Sequence, residues 1–117
     1  MAHSDFSFRQ NMLISREHPS LDGHFPGDPI VPGVVILDQL ISLWQKRTNT
    51  TIQQVHQTKF VQLLRPDVQC TIKYTVQYHE VPHDKALSKS IQSNKVNFLI
   101  TDETQTIIAK GLFSYEQ

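Results

Sequence analysis

The sequence predicts an α+β fold, with one domain over residues 1–117, and three observations predict it. A single long apolar stretch without a breaker, residues 34–47, reads as one helix. Several other stretches alternate apolar and polar residues with a period of two, as half-buried strands do. All but one of those strands follow the helix. A lone apolar helix followed by a run of antiparallel strands packs as a sheet laid against that helix. At 117 residues the chain can bury one core but hardly two.

The first strand is expected in "DFSFRQNMLI", residues 5–14, where Phe6, Phe8, Met12 and Ile14 share one face despite Gln10. The polar stretch "SREHPSLDG" then reads as a loop or short turn. Residues 23–33, "GHFPGDPIVPG", hold Gly23, Gly27 and Gly33 together with Pro26, Pro29 and Pro32. Each proline fixes its own φ and pushes the preceding residue out of helical geometry, so the path from His24 to Pro32 should be extended and stiff. A helix can start at Pro32 or Gly33, because proline is tolerated in a first turn. On it, Val34, Leu37, Leu40, Ile41 and Trp44 form one face, which Val35, Ile36 and Leu43 widen. Asp38, Ser42 and Gln45 form a polar stripe. First turns that are apolar nearly all round demand cover on several sides. One small sheet covers one side, and a second copy of the chain is the simplest cover for the rest.

After the helix the chain reads as β. "IQQVHQTKFVQLL", residues 52–64, is a long, imperfect strand. "CTIKYTVQY", residues 70–78, alternates cleanly, with Cys70, Ile72, Tyr74, Val76 and Tyr78 on one face. "HEVPHDKALSKS", residues 79–90, is polar, contains Pro82 and is expected to be a loop. "KVNFLIT" (95–101) and "TIIAKGLFSY" (106–115) should form a hairpin around "DETQ".

Composition excludes several classes. Apolar residues make up 38% and charged residues 19%, and the formal net charge is zero. Nothing here suggests disorder or a nucleic-acid footprint. Cys70 is the single cysteine, so no internal disulfide can form, and its expected role is a small buried hydrophobe. The amino-terminal "MAHSDFSFRQ" lacks an apolar signal region, and no run approaches the ~20 apolar residues that cross a bilayer. A soluble, cytoplasmic protein without a membrane span is the expectation.

The histidine pair in "HEVPH", His79 and His83, is spaced as a helical zinc pair would be, but Pro82 lies between them in a polar segment. The glycine-rich segment lacks the lysine and hydroxyl residue of a phosphate loop. Ser42 has no strand-to-helix elbow around it, and Cys70 no neighbouring cation, so neither reads as a nucleophile.

What remains is His24, Gly33 and Asp38. A plain account is open: His24 as a loop histidine bonded to backbone, and Asp38 as a solvated member of the polar stripe. The chemical account gives each a task. A neutral histidine can take a proton near pH 7, and a carboxyl group can give or accept one. The Gly33 N–H, at the positive end of a helix, could stabilise charge developing on a carbonyl oxygen. That set suits proton abstraction beside a carbonyl, followed by loss or shift of a group, and it needs no cofactor.

The sixteen residues "GHFPGDPIVPGVVILD" resemble the signature of the 3-hydroxyacyl-acyl-carrier-protein dehydratases of bacterial fatty-acid synthesis. More weakly, "TKFVQLLRPDVQCTIKY" resembles the strand, turn and strand that follow the central helix in that family. The resemblance implies the hot-dog fold, a curved antiparallel sheet wrapped round one long central helix. It implies a homodimer or a higher oligomer of dimers, with a continuous sheet and no metal. His24 would remove the C2 proton of a 3-hydroxyacyl thioester, the Gly33 N–H would hold the thioester oxygen, and Asp38 would protonate the leaving hydroxyl or position the departing water. The histidine and the acid of one site would come from opposite subunits. Members with aspartate include some that also isomerise the new double bond.

The substrate would arrive as a phosphopantetheine-linked acyl chain on acyl carrier protein. Phe25, Ile30, Val31 and Val35 are candidates for the acyl tunnel, with core packing as an equal alternative. Lys46, Arg47, Lys59 and Arg65 are candidates for docking the acidic carrier, with surface solvation as the alternative. The short chain resembles dehydratases attached to dedicated lipid or aryl-polyene gene clusters. An acyl thioesterase of the same fold and a non-catalytic acyl-binding partner are the competing readings. His24 weighs against the first, since such thioesterases often use an acid on the same helix but lack His-Phe-Pro-Gly. His24 with Asp38, both intact, weigh against the second.

Overall fold

The computed structural model describes residues 6–21, 29–81 and 89–116. His24 and Phe25 therefore lie outside the described residues, as do Gly23, Gly27, Pro82 and His83. The element order is β1 (Phe6–Met12), a single 3-10 turn (Pro19–Leu21), α1 (Gly33–Thr48), β2 (Ile52–Phe60), β3 (Cys70–Val81), β4 (Lys89–Asp102) and β5 (Ile107–Tyr115). The strands make one five-stranded sheet in the order β1-β3-β4-β5-β2, and every neighbouring pair is antiparallel. This is the expected α+β layout, one strand and one helix followed by four strands.

The alternation in β3 does what it predicts. Cys70, Ile72, Tyr74 and Val76 are buried while Thr71, Lys73, Thr75 and Gln77 are not. Register carries the same face across the sheet: Tyr74 lies opposite Phe98, Val76 opposite Val96, and Val96 opposite Phe113. Val35, Ile36, Leu40 and Trp44 of α1 are buried together with these residues in one hydrophobic cluster. Hydrogen bonds pin the helix along its core side. The Tyr74 hydroxyl donates to the Leu40 carbonyl at 2.7 Å, and the Trp44 indole N–H donates to Thr50 Oγ1 at 2.9 Å. Phe8 of β1 stacks on Trp44, and the Arg47 guanidinium sits 4.5 Å from the Phe8 ring centre.

The helix ends as chemistry requires. Pro32 is the N-cap residue, in extended geometry, and Gly33 is the first helical residue. At the other end Asn49 adopts the left-handed conformation, φ 57°, and its N–H closes on the Gln45 carbonyl at 2.8 Å. The Gln45 side-chain oxygen accepts the Ile52 N–H, tying the helix end to the start of β2.

Two expectations about strand limits are corrected. Residues 79–81 and 89–90 belong to strands, not to a loop, because β3 and β4 continue their ladder through His79↔Ile91, Glu80↔Ser90 and Val81↔Lys89. Backbone pairing between long neighbours does not need apolar side chains, so polar composition misleads there. The strand expected over 52–64 ends at Phe60. Beyond it, Val61 and Gln62 both direct their N–H to the Ile108 carbonyl, and Leu64 turns into the core.

Candidate active site

The start of α1 is the centre of the candidate site. The Val35 and Ile36 N–H groups both reach the Pro32 carbonyl, at 3.0 and 3.3 Å. Among the described residues the Gly33 N–H meets no acceptor, and Pro32 supplies no side-chain cap. Unpaired donors at a helix start carry the positive end of the helix dipole.

Gly33 itself lines a shallow cleft of about 210 Å³, together with Val31, Ile36, Phe60, Gln62, Leu63 and Leu64. The Phe60 ring lies directly over Gly33. A Cβ placed on Gly33 would stand 2.7 Å from Phe60 Cζ, so a glycine is what lets the ring come down on the helix start. The stretch leading in is held by a Val31 N–H bond to the Leu64 carbonyl, 2.8 Å. The 60–64 segment and the 29–33 segment thus build the cleft together.

Asp38 lies five residues beyond Gly33 on α1, exposed, about 7.5 Å further along the axis. Around it run Val34, which is 65% exposed, and the half-buried Leu37 and Ile41. Val34, Phe60, Val61 and Leu63 are among the chain's exposed large apolar residues, and all four lie at the Gly33 end of the fold. Of the four candidate tunnel residues, Val31 lines the cleft, Ile30 is half-buried, and Val35 packs into the core cluster. Phe25 lies outside the described residues. So does His24, which leaves Gly33 and Asp38 as the described members of the expected trio.

The candidate docking cations do not gather. Lys46 and Arg47 occupy the last turn of α1, while Lys59 and Arg65 lie by the segment that covers its first turn. Arg47 is engaged within the fold, donating to the Arg9 carbonyl and to Gln10 Oε1. Cys70 is buried, as expected, and burial pushes its thiol up to about 11. Phe60, Gln62, Leu63 and Leu64 were not legible as cleft residues, because their apolar run reads equally well as a strand.

A family model for ApeI-like proteins, described as ApeI dehydratase, matches residues 2–111. The chain belongs to the ApeI-like dehydratase family. The ApeI-like chain also matches a 3-hydroxyacyl-[acyl-carrier-protein] dehydratase FabZ from Chloroflexus aggregans, 57% identical over 28 residues. That match spans 24% of this chain and only 19% of the relative. Among solved structures it is similar to the dehydratase heterocomplex ApeI:P from Xenorhabdus doucetiae, with TM-score 0.67 and 16% identity, over 95% of this chain and 88% of that one. An uncharacterised protein from Erwinia carotovora subsp. atroseptica gives TM-score 0.69 at 16% identity, covering 97% and 90%. A fluoroacetyl-CoA-specific thioesterase, FlK, gives 0.53 at 8% identity, covering 97% and 93%. The fold is therefore the hot-dog fold, shared by dehydratases and thioesterases alike. Among the described residues no helix is long and apolar enough to cross a membrane.

Proposed function

We propose that this ApeI-like protein dehydrates (3R)-3-hydroxyacyl thioesters, carried on the phosphopantetheine arm of acyl carrier protein, to trans-2-enoyl thioesters. The observation that carries this reading is the Gly33 N–H, without an acceptor among the described residues, on a residue that lines an apolar cleft. A thioester oxygen bound there would gain hydrogen bonding and helix-dipole stabilisation as negative charge grew on it. That charge grows when the C2–H bond breaks, so the same contact would favour the transition state over the ground state.

His24 would take the C2 proton. The electron pair of that bond would become the C2=C3 double bond, and the C3–O bond would break. Asp38 would deliver a proton to the leaving hydroxyl, so that water departs. Deprotonation and loss of water need no redox partner. Asp38 lies on the exposed side of α1 amid uncovered apolar residues. A second subunit covering that side would bring its own His24 to this Asp38 and would exclude water from the pair. We propose a dimer joined along this side, homomeric or with a homologous partner subunit. Enzymes of fatty-acid or polyene biosynthesis consume products of this kind.

The test is hydration of a trans-2-enoyl thioester, followed by loss of its ultraviolet absorbance. His24→Ala and Asp38→Asn should each lower the rate by at least about a hundredfold, as expected for loss of a general acid or base. Turnover near wild type in either variant would remove the assigned roles. Release of free thiol without hydration would make the protein a thioesterase. Inactivity of the purified chain alone, with activity restored by a second subunit, would identify a heteromeric enzyme.

A further inference from the structure

The face of the sheet turned away from α1 carries a feature that the dehydratase reading does not use. Residues directly opposite in antiparallel strands project from the same side of a sheet. The pairs Arg9↔Lys73, Lys73↔Leu99, Leu99↔Lys110 and Lys110↔Lys59 therefore form one row across all five strands, in the order β1, β3, β4, β5, β2. Four of its five members are cations. With strands about 4.8 Å apart, the row runs about 19 Å from Arg9 to Lys59. Its neighbours on each strand, Phe8, Tyr74, Phe98, Ala109 and Phe60, point to the helix side, so the row itself points outward. Lys95, exposed on β4, adds a fifth cation to the same face.

Two like-charged pairs stand side by side here, Arg9 with Lys73 and Lys59 with Lys110, and such pairs oppose sheet formation. Among the described residues none of the five cations enters an ion pair. The adjacent row, Thr75, Asn97, Leu112 and Gln57, is uncharged. Between the two rows lies a shallow depression of about 390 Å³, lined by Gln57, Lys59, Asn97, Leu99, Lys110 and Leu112 together with Phe98 and Gly111. Cations, amides and two leucines around one depression suit carboxylates presented from a protein surface with apolar contact between them.

We propose that this outer face docks the carboxylate-rich surface of a protein partner, with Lys59 and Lys110 at its centre. A second copy of the chain cannot cover the face symmetrically, because cation would meet cation. Single-stranded nucleic acid is disfavoured because the one aromatic residue lining the depression, Phe98, is buried in the core cluster and is not free to stack a base. The docking face lies on the opposite side of the sheet from the cleft at Gly33, and it does not depend on the reaction assigned there.

The experiment is fluorescence anisotropy of a labelled glutamate-rich peptide titrated with the full chain, against the same peptide with glutamine throughout. The glutamate peptide should bind and the glutamine peptide should not, and raised salt should weaken binding. Lys59→Gln with Lys110→Gln should weaken binding at least about tenfold, while Lys59→Arg with Lys110→Arg and the helix variant Lys46→Gln should stay within about threefold. Thermal melting verifies the fold of the glutamine variant, which relieves a like-charged pair. Equal binding of the two peptides, no effect of the double glutamine variant, or an equal loss in Lys46→Gln would overturn the proposal. Binding of phosphatidylglycerol vesicles or of oligothymidylate, with no binding of the peptide, would also overturn it.

Discussion

Gly33 and Gly111 show how much a missing Cβ can decide. At Gly111 an added methyl would meet Phe98 Cζ at 2.6 Å and would collide with the backbone carbonyl of Gln57. Neither can yield easily, since one is a buried ring and the other belongs to the β2 ladder. Gly111→Ala should therefore lower stability by about 1–3 kcal/mol, the range of overpacked cores, as read from urea denaturation. At Gly33 the obstacle is the end of a half-exposed ring, which can swing aside. Gly33→Ala should leave the melting transition nearly unchanged yet impair hydration at least about tenfold, because the methyl and the displaced ring crowd the N–H. Cys70 and Tyr74 set the behaviour at high pH. Burial raises both above their ordinary values, Cys70 to about 11. Between the unfolded and the folded pKa the unfolded chain has lost protons that the native state keeps, so stability falls as pH rises. The Cys70 contribution is intact below about pH 9 and disappears as pH climbs through about 11. Urea midpoints measured from pH 8 upward should drop, and Cys70→Ala should make that drop shallower.

Among the elements, α1 is the most fully specified. Its start could be read from Pro32 and Gly33, since proline supplies an extended N-cap and glycine follows it. Its end rests on Asn49 at φ 57°, a left-handed residue for which glycine carries less strain. Asn49→Gly should be neutral or stabilising by a few tenths of a kcal/mol, and Asn49→Val destabilising by about 1 kcal/mol or more, by thermal melting. β3 was legible over 70–76 because one face is buried and the other is not. Its continuation and the first half of β4 were not, because the pairing of residues 79–81 with 89–91 is a backbone matter that leaves no apolar period. The end of β2 was illegible for the opposite reason. "VQLL" is apolar enough for a strand, but the carbonyl of Ile108 gathers the N–H groups of both Val61 and Gln62 and turns the chain out of the sheet. The cleft followed from that turn, so its residues could not be named from local pattern. The Gly33–Phe60 contact spans 27 positions, and nothing in either neighbourhood announces the other.

For the whole molecule, the distribution of uncovered apolar surface is the informative quantity. Val34 and Leu63 are 65% and 70% exposed, and Phe60 and Val61 about half. These residues border the cleft and the Asp38 side of α1, where the sequence already asked for a second source of cover. A folded single chain should tolerate charge at such positions, since surface substitutions usually stay within about 0.5 kcal/mol. Val34→Asp with Leu63→Asp should thus keep its helix and strand content but shift to the mass of one chain in light scattering, with hydration activity lost. Retention of a dimer in that variant would place the subunit contact elsewhere.

The two register shifts in β2, between Ile52 and Gln54 and between Val55 and Gln57, give this edge strand a further property. An unbroken edge is a template on which chain after chain can be added without limit. Here the first half of the outermost strand is interrupted twice and only Gln57–Phe60 pairs without a shift, so another strand can find matching donors and acceptors over a short length alone. Such an edge can be capped once by a partner shaped to fit it, and it offers little to the next arrival. The irregularity acts as a stop signal for assembly, favouring a closed particle of fixed size over a growing filament.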